Sequence, residues 1–443
     1  MGVRARLKAA LHANYIPRQC EADALLSLLG GRGLLRIAGM RLLFVHERFG
    51  AMAGAEVNAF VTAEELKRRG HTVGILHGTG TGRQEDRWRE VFSDRFSFGD
   101  GDPAEATRAA VEEFRPDVIY VHKLAHLRVL EALVESRRAL VRMVHDHDLY
   151  CMRSYKYHPL TRKVCARSAS PYCLFPCGAM LARNREGGLP FKWASYAAKK
   201  KEIRLNRRFD RMIVATEYMA NELAKNRFDP GRIEIHPPVP RTLERAAQSS
   251  FSGRNLILCV GQVIRGKGVD VLLEALASVA AVFECVIIGE GSHRTFCEAL
   301  SRRLGLEGRV RFEGYVPHEE LRAYYGDASI GVMGSLWPEP FGAAGLEAMR
   351  HGLPVVAFDA GGIREWLIDG HNGLLIPWMD RTAFAAGLER LLKDKAQARL
   401  MGERGRKLVE QKYDFNRYID SLEDLFARVV REHQPDRAEA IRT

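Results

Sequence analysis

Two carboxylates, Glu339 and Glu347, stand eight residues apart in the stretch Trp337-Pro338-Glu339-Pro340-Phe341-Gly342-Ala343-Ala344-Gly345-Leu346-Glu347. Carboxylates accept hydrogen bonds from sugar hydroxyls, and backbone amides at a helix start donate to ligand oxygens or anions. A second candidate group is Gly261-Gln262-Val263-Ile264-Arg265-Gly266-Lys267-Gly268. Its glycines allow close backbone approach, and Lys267 is a point charge suited to a diphosphate. It is not a P-loop, because the spacing and the Ser/Thr after Lys are missing. A third group, Val144-His145-Asp146-His147-Asp148, closes an apolar run, with Asp146 expected to orient the His145 ring. Asp146-His147-Asp148 also has the look of a metal-binding DxD, and His-Asp pairs occur in metal phosphohydrolases. Hydroxyl acceptors, amides and a cation together suit a polyol phosphate.

Cysteine usage adds a separate possibility. Of eight cysteines, Cys259, Cys285 and Cys297 fall in strand or helix patterns and read as core. Cys151, Cys165, Cys173 and Cys177 instead cluster in a polar stretch with spacing C-x13-C-x7-C-x3-C. In a reducing compartment such a cluster favours metal over disulfides, and four thiolates suit a closed structural zinc site. Free thiols and an iron–sulfur cluster are the alternatives, and His158 is a possible replacement ligand.

These groups need strands to present them. Leu42 to His46, Thr72 to Leu76, Val118 to His122, Leu140 to His145 and Met212 to Thr216 read as buried strands. The segment His236 to Gly253 is the best linker, after which Leu256 to Val260 restarts the pattern. Cys285 to Ile288, Arg309 to Glu313, Ser329 to Met333 and Leu353 to Phe358 follow, with helices expected at Val269 to Ala281 and Ala343 to Arg350. Strand–helix alternation predicts parallel sheets, with ligands outside the carboxyl ends of the strands.

At 443 residues the chain is too long for one ordinary core, and two domains are expected. No apolar run reaches transmembrane length and no secretory leader is evident, so a cytoplasmic location is expected. The net charge is +12. Residues 1–39 contribute six Lys/Arg and two Asp/Glu, and residues 181–211 ten and three, which together give 4 + 7 = 11 of it. Basic clusters of this kind suit an anionic membrane surface, at the inner face of the membrane, or a phosphate-bearing acceptor; two solvated basic faces are the bland alternative. The run Lys199-Lys200-Lys201 reads as a solvated or membrane-facing helix. No aromatic-and-basic motif supports nucleic-acid binding, and the first strand is not followed by the G-x-G-x-x-G of nicotinamide dehydrogenases.

Glu-x7-Glu within PEPFGxxxLEAM, followed by GLPVVA and a GG turn, resembles the family 4 retaining glycosyltransferases of the GT-B fold, over most of Met40 to about Tyr413. The resemblance implies an α/β architecture of two doubly wound Rossmann-like domains facing across a cleft. A basic extension would occupy 1–39, unless it reflects the choice of start site. An acceptor domain would span 40–240 with a Cys-rich insert at 151–177. A donor domain would span 254–414, and 415–443 would hold a helix crossing back to the first domain.

The same resemblance implies a sugar moved with retention from a nucleotide-diphosphate sugar to a saccharide or lipid-linked acceptor, in polysaccharide or glycolipid biosynthesis, with no cofactor required. Glu347 would hold the ribose hydroxyls, and Glu339 with the Phe341 and Gly342 amides the sugar. Lys267 would stabilise the diphosphate within the Gly261 to Gly268 turn. Gln262 stands where the family has Arg, so Arg265 would substitute. Gly54 would reach the phosphate from the Gly50 to Glu56 turn, Val316 would lie near the nucleotide, and His145 would line the sugar. A sugar-nucleotide epimerase and a non-catalytic nucleotide-sugar-binding protein are the alternatives.

Overall fold

The computed structural model describes residues 39–51, 54–158, 160–183, 191–241, 248–251 and 254–433. Residues 1–38 of the expected extension, and the tail beyond 433, lie outside them. The first sheet is built from β1 (Arg41–Phe49), β2 (Thr72–Gly80), β3 (Asp94–Ser97), β4 (Val118–Val121) and β5 (Ala139–Val144). A small antiparallel hairpin, β6 (Leu181–Arg183) with β7 (Phe191–Trp193), precedes its last strands, β8 (Arg211–Val214) and β9 (Ile233–Ile235). The strand order is β3-β2-β1-β4-β5-β8-β9, parallel throughout.

The second sheet holds β10 (Leu256–Val260), β11 (Glu284–Ile288), β12 (Val310–Gly314), β13 (Ile330–Met333), β14 (Val355–Phe358) and β15 (Gly373–Ile376). Its order is β12-β11-β10-β13-β14-β15, again all parallel. Both sheets carry helices on their faces, so central strands such as Leu42 to Val45 and Leu256 to Leu258 are buried on both sides and read as continuous apolar runs. The order reverses between β1 and β4 in one sheet and between β10 and β13 in the other. Loops leaving these adjacent strands diverge to opposite faces and open a crevice there.

The sequence reading places most strands within a residue or two and misses β3, the β6–β7 hairpin, β9 and β15. The helix expected to run to Ala281 stops at Leu276. Its last turn tightens, with Ser278 N–H donating to Ala275 O and Val279 N–H to Leu276 O. No helix among the described residues is long and apolar enough to cross a membrane.

The last helix, Phe415–His433, carries Tyr418, Ile419, Leu422, Leu425, Phe426, Val429 and Val430 at helical spacing, all buried. Its apolar face packs on the first sheet, with the Phe426 and Tyr120 rings 5.1 Å apart. Its polar flank is tied to the helix Gly54–Arg68 and the turn after it: Arg69 meets Asp420 at 2.5 Å and Glu423 at 2.6 Å. The chain therefore leaves the first domain near Ile235 and returns to it at Phe415.

Candidate active site

The loop after β10 and the loop after β13 meet at one ion pair. Lys267 Nζ donates to Glu339 Oε1 at 2.7 Å. The same oxygen accepts from Trp337 Nε1 at 2.9 Å and from the Ser335 hydroxyl. The Lys267 ammonium also lies 5.2 Å from the centre of the Trp337 ring. Burial pushes the Glu339 carboxyl up, but the Lys267 charge and the three donated hydrogen bonds outweigh it and hold the group below the ordinary glutamate range.

Glycine makes this approach possible. Gly268 has φ +61°, and a Cβ there would stand 2.0 Å from the Gly334 carbonyl oxygen. The Glu339 backbone is locked by the Ala360 to Gly362 turn: its N–H donates to Ala360 O, and its carbonyl accepts from Gly362 N–H. Phe341 is buried, and its carbonyl accepts from Trp366 Nε1 at 2.6 Å. Gly342 caps the helix Ala343–Arg350 with φ +82°. On that helix Glu347 accepts from the Tyr325 hydroxyl at 3.3 Å and borders a small pocket with Arg350 and the linker residues Val239 and Pro240. Gly261 opens the first loop with a positive φ, Arg265 is exposed on its turn, and Val316 packs on the core just past β12.

The first domain presents histidines at its own switch point. His46 lies in the second half of β1, His122 follows β4 and His145 follows β5. His122 Nδ1 and His145 Nε2 share a hydrogen bond of 2.9 Å, with stacked rings. The Asp146 expected beside the His145 ring goes elsewhere. Lys123 holds Asp146 at 2.6 Å and Asp148 at 2.8 Å, so a lysine claims the carboxylate and a second histidine orients the ring. Burial, then the charges of His46 and Lys123, push His145 down to about 3. Burial likewise takes His46 to about 4 and His122 below its ordinary value, so all three rings are neutral at pH 7. Gly54 starts the helix after β1, with open space where a Cβ would be.

Sequence reasoning missed how the first domain grips the Glu339 loop. His147 Nε2 donates to Pro338 O at 2.7 Å, while its Nδ1 faces the Tyr150 hydroxyl at 2.7 Å. Thr216 Oγ1 donates to Pro340 O at 2.8 Å. Glu365 of the second domain accepts from the Glu217 and Tyr218 amides at the start of a first-domain helix. The carbonyls on either side of Glu339 are thus held from across the cleft. Two prolines in three residues were the available signal, since a Pro-x-Pro loop has few N–H groups of its own to pair.

The Cys-rich insert reaches over the same place. Tyr157 packs on Gly266, where a Cβ would meet its ring at 3.2 Å. The Tyr155 and Trp337 rings are 5.9 Å apart, and Arg162 pairs with Asp270 across the domains at 2.5 Å. Cys151, Cys165, Cys173 and Cys177 are all partly buried in this insert as free thiols. Among the described residues no group of three or more His, Cys, Asp or Glu is placed to hold a metal. Burial pushes the Cys151 and Cys173 thiols up. What braces the insert is the buried Lys156, which pairs with Glu222 at 2.9 Å and donates to the Arg167 carbonyl. In the lysine run, Lys199 is tied to Glu202 and the Asp148 carbonyl and Lys201 to Glu131, leaving Lys200 exposed.

The model for glycosyltransferase family 4 matches residues 52–239, and that for glycosyl transferases group 1 matches residues 240–408. A lipopolysaccharide core biosynthesis glycosyltransferase of Rhizobium meliloti is 28% identical over 185 residues, covering 42% of this chain and 53% of that protein. A D-inositol 3-phosphate glycosyltransferase of Salinispora tropica is 30% identical over 254 residues, covering 51% and 52%. The chain spans about half the length of the curated relatives it matches. Among solved structures, Anabaena Alr3699/HepE in complex with UDP and glucose superposes with a TM-score of 0.67 over 88% of this chain and 100% of that one, at 19% identity. A lipopolysaccharide outer core galactosyltransferase, WaaB, gives 0.62 at 16% identity, over 88% and 100%.

Proposed function

The chain belongs to the family 4 glycosyltransferases of GT-B fold, and we propose that it moves a sugar, with retention, from a nucleotide-diphosphate sugar to a hydroxyl of a saccharide or lipid-linked acceptor. The observation that carries this reading is the Lys267–Glu339 pair, seated between the two switch points and gripped from the first domain by His147 and Thr216. Alr3699/HepE, of the same fold, binds UDP; a nucleotide diphosphate is the class of donor proposed for this cleft.

Lys267 and Glu339 bond to each other where each would otherwise meet the donor. Donor binding turns the ammonium from Glu339 Oε1 toward the diphosphate, with Arg265 beside it. Glu339 keeps its bonds from Ser335 and Trp337 and gains room to accept from a sugar hydroxyl, while the Phe341 and Gly342 amides donate to the sugar. Glu347 takes the ribose hydroxyls. His145, held neutral and oriented by His122, lines the sugar without adding charge. Gly54, Gly261 and Gly268 let backbone approach the phosphates, and Val316 borders the nucleotide.

In the reaction the bond from the anomeric carbon to the diphosphate oxygen breaks as the acceptor oxygen bonds to that carbon on the same face. The acceptor proton passes to the departing diphosphate. Lys267 stabilises the charge that develops there. No residue is assigned as a covalent nucleophile.

The test is a thermal-shift screen of nucleotide sugars with free nucleotides as controls, followed by NMR of the product's anomeric configuration. A selective shift with one donor and an α product from an α donor support the reading. No shift from any donor in folded protein, or an inverted product, overturns it.

A further inference from the structure

We propose that the chain docks on an anionic lipid bilayer through the outer side of the insert between β5 and β8. Phe175, Leu181 and Trp193 enter the interface, and Lys200 and Arg204 meet the headgroups. These three apolar side chains are 84%, 50% and 72% exposed. Leu181 and Trp193 are directly opposed in the β6–β7 register, so they leave the same face of the hairpin. Phe175 sits on the turn just before it, where Cys177 N–H donates to Tyr172 O and Ala179 N–H to Cys173 O. Ala194 N–H donates to Met180 O and ties the hairpin to the start of the helix Tyr196–Asn206. On that helix the Lys200 ammonium lies 5.8 Å from the Tyr196 ring centre. Lys200 and Arg204 are both exposed and four residues apart, hence on one side of the helix.

The charge around this patch selects its occupant. Among the described residues from 160 to 208 the acid is Glu202, which is buried and paired with Lys199. The remaining cations of this stretch have no exposed acid among them. A face combining Trp and Phe with the exposed Lys200 and Arg204 matches an anionic bilayer, whose interface takes aromatic rings and whose headgroups take cations. A second copy of the same face would bring like charges together.

The docking side and the cleft are two parts of one insert. Tyr157 on Gly266 and Arg162 on Asp270 form its inner end. Given the transferase reading, an acceptor carrying a lipid would arrive where the insert already touches the donor loop. The docking itself does not depend on that reading.

The experiment is co-sedimentation of the full chain with phosphatidylcholine vesicles, with and without phosphatidylglycerol, at low and high salt. Brominated acyl chains serve as quencher. Binding is expected to require phosphatidylglycerol and to weaken about tenfold or more with salt. The fluorescence lost to the quencher is expected to disappear in Trp193→Phe. Phe175→Ser/Trp193→Ser and Lys200→Glu/Arg204→Glu are each expected to lose about tenfold in affinity, with unchanged circular dichroism. Val282→Ser, at an 84% exposed apolar position elsewhere, should bind as the parent does. Equal binding to both vesicles, unquenched Trp193, unaffected variants, or self-association through this face would overturn the proposal. Turnover of a soluble acceptor, measured in the same samples, keeps a failure of docking distinct from a failure of the transferase reading.

Discussion

Replacing Lys267 by Met tests the central ion pair on two axes at once. Glu339 is 3% exposed at its side chain and Lys267 24%. Removing one partner of a buried pair costs roughly 3–5 kcal/mol because the other charge stays buried. Here water reaches the lysine, and Ser335 and Trp337 keep donating to Glu339, so about 2 kcal/mol is expected. For a domain of this size that lowers the melting temperature by about 4–8 °C. The turnover number should fall by about two to three orders of magnitude, the usual effect of deleting a group that stabilises developing charge.

The double variant Lys267→Met/Glu339→Gln removes both charges and keeps an acceptor for Ser335 and Trp337. It should regain most of the stability and none of the turnover. The pH dependence follows in sign. In the parent, Glu339 titrates below the ordinary value of 4.5, so its contribution is present above that value and lost as pH falls. In Lys267→Met, burial is no longer opposed by the ammonium and the carboxyl titrates higher. The stability deficit is therefore largest at neutral pH and shrinks on acidification. Differential scanning calorimetry across pH reads the first quantity and a donor-consumption assay the second. A Lys267→Met protein with turnover within about threefold of the parent, well short of the loss expected at such a site, or a double variant no more stable than the single, would refute the reasoning.

Three other measurements bear on the site. Glu347→Ala should weaken free-nucleotide binding by about tenfold, the worth of one good hydrogen bond to a charged group; unchanged affinity by calorimetric titration would remove the ribose assignment. Gly268→Ala, with its Cβ 2.0 Å from Gly334 O and φ at +61°, should destabilise by more than about 2 kcal/mol, whereas Gly82→Ala, with open space around it, tests the left-handed backbone alone. His145 at about 3 and His46 and His147 at about 4 bind fewer protons folded than unfolded between pH 4 and 6.5. Stability should rise with pH across that window by about 1.4 kcal/mol per unit for each histidine, and His46→Gln should flatten the slope.

The parts of this fold that announce themselves are those where residue type and conformation are coupled. Buried parallel strands show as unbroken apolar runs, and the donor loops show as glycine beside charge. The edge strands β3 and β9 do not: Asp94-Arg95-Phe96-Ser97 and Ile233-Glu234-Ile235 carry the charges that keep sheet edges from pairing further. His145 stands just past β5, and Lys267 and Glu339 in the loops after β10 and β13, where the sequence reading has them, but their partners were not legible. His147 and Thr216 bond to backbone carbonyls some 120 to 190 positions away, and the prolines flanking Glu339 hint at a loop needing partners without saying which side chains supply them. His122 reaches His145 only because β4 and β5 are neighbours in the sheet. The buried Lys156–Glu222 pair that braces the Cys-rich insert was not legible either, since its partners lie 66 positions apart.

The return of the helix Phe415–His433 to the first domain has a consequence for how the molecule is born. The first sheet stays short of the helix that covers β4 and β5 until Phe415–His433, after the whole second sheet, has left the ribosome. Tyr120 waits for Phe426, and Asn58 for Tyr418, more than 300 residues later in the chain. Domains ordinarily complete themselves in the order they are synthesised. Here the second domain, whose strands lie within Leu256 to Ile376, can close first, and the first domain is finished last. A nascent chain stalled before Phe415 would present the bare apolar surface of the earlier sheet to chaperones, and one released just after it would not.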